Sequence, residues 1–134
     1  MKLIEVKIEN FRGIRSLQLP LDSLTVLIGE NNTGKSTVLE AIRLVLTRGF
    51  SARRGGQFTE YDFHLKDASF TPQTSGPILI TLHFAETQDN EWPDAVIQQM
   101  SEVIQLDTSI GRNHIWLQLK GSYQAETGSF ETKW

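Results

Sequence analysis

The chain has 134 residues, 39% of them hydrophobic and 22% charged, which is globular content and enough for one core. Its formal net charge of −3 gives no overall attraction to nucleic acid, so a DNA contact would need a local basic patch. No apolar run approaches the ~20 residues of a membrane span, the N-terminus lacks a signal-peptide core, and the lack of cysteine excludes a disulfide framework or a thiolate metal site. A cytoplasmic protein is expected.

In chain order, Ile4, Val6 and Ile8 alternate with Glu5, Lys7 and Glu9, the pattern of a strand with one wet face. Asn10-Phe11-Arg12-Gly13 makes a turn. Leu17, Leu19 and Leu21 alternate with Gln18, Pro20 and Asp22, a second half-buried strand returning beside the first, and Pro20 puts its end at an edge or terminus. The continuous apolar run 24–28 (LTVLI) is expected to be a strand buried on both faces.

Gly29-Glu30-Asn31-Asn32-Thr33-Gly34-Lys35-Ser36 follows and fits the phosphate-binding pattern Gly-x-x-x-x-Gly-Lys-Ser/Thr, between a strand and a helix as that pattern requires. Terminal glycines let the backbone wrap a triphosphate closely, where a Cβ would obstruct. The loop amides then point inward and the helix beginning near Lys35 adds the positive end of its dipole. Lys35 can reach the β- and γ-phosphates, and the Ser36 hydroxyl can ligate Mg²⁺. The helix carries Val38, Ala41, Ile42 and Val45 at helical spacing, with Leu39 and Leu46 widening the stripe. ATP with Mg²⁺ is the expected ligand.

Residues 48–57 (RGFSARRGGQ) have no periodicity and form a basic loop. Residues 61–65 are too short to assign, and 71–77 are a turn region. Ile78, Ile80, Leu82 and Phe84 mark a strand; Pro93 opens a helix whose apolar face is Val96, Ile97, Met100, Val103 and Ile104. Ile115, Leu117 and Leu119 mark another strand, and Thr127-Gly128-Ser129 turns a hairpin. Two half-exposed strands before the phosphate loop do not suit a doubly wound fold. The order implies a mixed α/β sheet with a P-loop element and an antiparallel sub-sheet.

An N-terminal strand, the Asn-Phe-Arg-Gly turn, a short strand and LIGENNTGKST resemble the amino-terminal lobe of RecF/SMC-like ABC ATPases. Together with Asp62-Phe63-His64 they look most like the OLD (overcoming lysogenisation defect) family, in which an ABC-type ATPase precedes a Toprim nuclease. The resemblance covers most of residues 1–84. It implies that Asn31, Gly34, Lys35, Ser36 and Thr37 form the phosphate loop and that Arg12 and Gly13 lie near the nucleotide. Arg53 and Arg54 fall where related ATPases place an arginine loop touching nucleotide or DNA, with no choice between them. Asp62 either approaches the nucleotide-bound metal or caps a turn. In the full-length protein the resemblance implies self-association through ATPase heads, DNA as partner, and phage defence or DNA repair as the setting.

Departures from that family are equally informative. The chain has no apolar strand ending in Asp-Glu and no Leu-Ser-Gly-Gly signature. Residues 103–107 continue a helical pattern, with Thr108 where Glu is needed. No Toprim acidic cluster occurs, and no glutamine can be matched to the γ-phosphate sensor. The simplest expectation is an incomplete lobe that cradles phosphate but hydrolyses poorly alone. A RecF- or SMC-like repair ATPase without nuclease, and a non-hydrolysing regulatory module, are the alternatives. His64 and His83 read as structural, because neither has partners at metal-ligand spacing. Trp92, Trp116 and Trp134 read as core or interface anchors.

Overall fold

The computed structural model describes residues 1–30, 34–47, 58–67, 69 and 71–133. Strand β1 (Lys2–Phe11) pairs antiparallel with β2 (Ile14–Pro20) on one side and with β3 (Ile78–Ala85) on the other. The long β5 (Arg112–Gln124) follows β3, and its two ends take β4 (Gln105–Asp107) and β6 (Ser129–Lys133). The sheet order is therefore β2-β1-β3-β5-β4, with β6 also on β5.

Alternation along these strands separates two faces. Ile8, Ile80 and Leu119 lie opposite one another across β1, β3 and β5, fully or almost fully buried, as do Val6 and Leu82. Helix α1 (Lys35–Leu46) covers this face with Val38, Ala41 and Val45. On the other face Glu5, His83 and Trp116 form a cross-strand row, next to a row of Lys7, Thr81 and Gln118. Trp116 stacks on His83 at 4.3 Å between ring centroids, and His83 Nε2 and His114 Nδ1 share a hydrogen bond of 2.9 Å. His114 and Trp92 are buried, whereas Trp116 is half exposed.

Four sequence expectations are corrected. The sheet is not mixed: every strand pairing among the described residues is antiparallel. Residues 24–28 form no strand and are not buried on both faces, with Leu24, Val26 and Ile28 at 83%, 66% and 90% exposure. A strand exists through its ladder, and no described strand pairs with this run. The chain entering it is instead bent locally, where Asp22 N–H donates to Thr25 Oγ1 and Ser23 N–H to Asp22 Oδ1. Leu39 and Leu46 likewise stay largely exposed and do not widen the core stripe of α1.

The fourth correction concerns the second helix. α2 spans only Asp94–Gln99, and the Met100 carbonyl then accepts both Val103 and Ile104 amides as the chain turns. Gln105–Asp107 becomes β4 because the start of β5 offers a ladder, a tertiary contact that overrides helical periodicity. Pro93 does open the helix as expected, as its N-cap.

The loop after β3 is pinned by a buried carboxylate. Glu86 accepts the Trp92 amide at 2.8 Å, the Asn113 amide at 2.8 Å and Asn113 Nδ2 at 2.9 Å. Burial works against its charged form, but these three donors outweigh that and lower its pKa. The stabilisation is present above the ordinary glutamate range and is lost as pH falls through the lowered value. Glu86→Gln should cost about 2 kcal/mol at neutral pH, because one amide N–H₂ would then face backbone donors. Urea midpoints of the two proteins should converge in acid; a constant gap across pH would contradict this.

Candidate nucleotide-binding site

Gly34 is the N-cap of α1 and sits at φ +89°, in the left-handed region where glycine costs least. It offers no side chain to cap the helix, and no acidic residue occupies the first turn. The N-terminal amides of a twelve-residue helix are therefore set up for an anion. Lys35 Nζ folds back and donates to the Gly29 and Glu30 carbonyls, so its ammonium lies across the loop it follows. Ser36 is exposed and Thr37 half-buried, both in the first turn. Asn31, Asn32 and Thr33 lie outside the described residues, as do Arg53, Arg54 and Trp134.

A pocket of about 510 Å³ opens beside this helix start. Gly13 to Leu17 of the β1–β2 hairpin, residues 26–28, and Gly34 and Lys35 line it, with Arg15, Ser16 and Lys35 as its polar side chains. A Cβ on Gly34 would lie 3.6 Å from Ile14 Cγ1, so this residue of the hairpin is close to the start of α1. Gly13 and Gly34 line the same pocket.

The Asn-Phe-Arg-Gly turn and the Asp-Phe-His segment, 50 residues apart, meet in space. Thr59 caps a single 3-10 turn (Glu60–Asp62): Asp62 Oδ2 accepts the Thr59 amide at 2.9 Å and the Thr59 hydroxyl at 3.0 Å. Asp62 Oδ1 takes Arg12 Nε at 3.0 Å. Backbone bonds run from Arg12 N–H to Asp62 O at 2.8 Å and from His64 N–H to Asn10 O at 3.0 Å. His64 Nδ1–H donates to the Arg12 carbonyl at 2.8 Å. Phe11 bridges Phe63, and Phe11 meets Phe58 edge-on at 6.2 Å.

These contacts hold Asn10 and Arg12 at φ +54° and +50°. Left-handed backbone costs a non-glycine residue roughly 1–2 kcal/mol, least for Asn, so the turn stands only because its surroundings over-determine it. Asp62 is therefore a turn-capping and ion-pairing residue, both of its oxygens engaged. Arg12 is likewise engaged, its guanidinium on Asp62 and close to the Phe11 ring. Glu40 of α1 faces the same pair; Arg43 holds its carboxyl below the usual range. Sequence reading found both segments but not their union, which neither spacing nor periodicity encodes.

Among the described residues no group of three or more His, Cys, Asp or Glu side chains could hold a metal ion. Nor is any described helix long and apolar enough to cross a membrane.

Comparison with known proteins follows the same lines. The family described as "Protein of unknown function (DUF2813)" matches residues 1–133. The chain is 34% identical over 82 residues to the OLD nuclease of Thermus scotoductus, covering 61% of the chain and 14% of that protein. It is 28% identical over 136 residues to the endonuclease GajA of Bacillus cereus, covering the whole chain and 22% of that protein. The DNA replication and repair protein RecF of Prosthecochloris aestuarii is 34% identical over 90 residues, 63% of the chain and 24% of RecF. The chain thus spans between 14% and 24% of the length of these relatives. It belongs to the DUF2813 family, a domain found in OLD-family nucleases.

Proposed function

We propose that the chain is the P-loop lobe of an ABC-type ATPase head in an OLD-like, ATP-dependent DNA endonuclease. The observation that carries this is the start of α1: left-handed Gly34, an uncapped helix N-terminus free of acidic residues, and Lys35 beside it. That arrangement fits a polyphosphate. Gly29 to Thr37 would cradle ATP, with Lys35 moving from the loop carbonyls onto the β- and γ-phosphates. Mg²⁺ would be held by Ser36 together with phosphate oxygens and water, as suits an ion that dehydrates reluctantly. The ion neutralises charge on the transferring phosphoryl group when bound.

The sequence has no apolar strand ending in Asp-Glu, so hydrolysis is assigned to the full-length protein, where paired heads would supply the missing groups and act on DNA. Val26 and Ile28 line the pocket and are exposed, and such a further ATPase segment would cover them. The match to the GajA endonuclease runs the whole chain, which supports the nuclease reading over a nuclease-free repair ATPase. The test is the full-length protein with radiolabelled ATP and plasmid DNA. ATP turnover together with DNA cleavage is expected; turnover without any cleavage would favour the repair ATPase, and neither would overturn the proposal.

A further inference from the structure

The geometry points to Asp62 as a positioning residue for the nucleotide site, acting through the Arg12 turn from a segment that does not itself line the pocket. This rests on the nucleotide reading above and names the element that sets that site's shape. Gly13 and Ile14 follow Arg12 in the chain and line the pocket with Gly34, where a Cβ would meet Ile14 Cγ1 at 3.6 Å. Arg12 is held in left-handed backbone by its amide on Asp62, its carbonyl on His64 and its guanidinium on Asp62. Asp62 is in turn fixed by Thr59, through both amide and hydroxyl. Loss of the carboxylate removes one of the three restraints on Arg12 and loosens its left-handed backbone, which would let Gly13 and Ile14 shift relative to Gly34.

The arrangement is a chain of support: Phe58 is buried in the core, Thr59 follows it, Thr59 holds Asp62, Asp62 holds Arg12, and Arg12 sets Gly13. Arg12 is therefore spent on orientation in this state, and its effect on nucleotide affinity runs through Asp62. Two consequences separate this from a purely structural role. Affinity should fall more than stability does, and losses at Arg12 and Asp62 should not add.

The experiment is isothermal titration of the 134-residue chain with Mg·ATPγS, with thermal melting of every variant alongside. Asp62→Asn and Arg12→Ala should each weaken binding about tenfold, and the double variant no further. Thr59→Val should weaken it several-fold, while Thr59→Ser, which keeps the hydroxyl, should bind as the parent does. The Thr59 pair decides the matter should Asp62→Asn fail to fold. Parent binding with unchanged or tighter affinity in Asp62→Asn, or additive losses, would overturn the positioning role and leave the nucleotide reading standing. No saturable binding by the parent would overturn both.

Discussion

Lys35→Ala should weaken Mg·ATP binding by about 100-fold while moving the melting temperature by no more than a few degrees. The ammonium now rests on two neutral carbonyls, Gly29 O and Glu30 O, at an exposed stretch of chain. Transfer to phosphate replaces these by charge-assisted bonds, each worth roughly 1.5–3 kcal/mol. Two of them account for about two decades in affinity. The fold depends little on Lys35, since its side chain leaves the core stripe of Val38, Ala41 and Val45 untouched and alanine favours helix. In the full-length protein the same change should abolish ATP turnover. Calorimetric titration of both proteins checks the first claim; equal affinity would remove Lys35 from the site.

Gly121→Ala should be the most damaging single methyl in the described chain. A Cβ at this position would lie 2.2 Å from Phe58 Cδ2 and 2.5 Å from Cε2, well inside contact distance. Phe58 cannot swing aside cheaply, because its ring is 5% exposed and packed edge-on against Phe11. Overpacking of this kind costs about 3 kcal/mol, which in a domain of this size lowers the melting temperature by about 10 °C. Phe58→Leu in the same chain should recover part of the loss, giving a non-additive double variant. Urea unfolding measures both, and a Gly121→Ala midpoint equal to the parent's would contradict the packing described here. Because Phe58 anchors Thr59 and Asp62, the variant should also loosen the Arg12 turn.

Strands with one wet face were legible in the sequence because alternation is a local signal. Val6 and Ile8 in β1, Ile78, Ile80 and Leu82 in β3, and the hairpin turn at Gly128 fall where the pattern puts them, whereas a register shift between Leu3 and Glu5 puts Leu3 in place of Ile4 against the core. The start of α1 was legible for a similar reason, since Gly34-Lys35-Ser36 states a backbone need as well as a chemistry. The run 24–28 was misread because apolar content specifies burial only when a neighbouring strand supplies it. Residues 105–107 were misread because their short helical periodicity yields to the open ladder at the start of β5. The clasp between Arg12 and Asp62 was hidden for a third reason. It depends on two turns being brought together by the sheet and by Phe58, and a single glycine, Gly121, makes room for that ring.

The most direct measurement of the nucleotide claim is a titration of the isotopically labelled chain with Mg·ATP, followed at each backbone amide by NMR. Saturable shifts centred on Gly34, Lys35 and Ser36, spreading to Gly13 and Ile14, are the predicted result. No saturable shift, or shifts centred instead on the Trp116 and His83 face of the sheet, would contradict a phosphate-binding site at the start of α1.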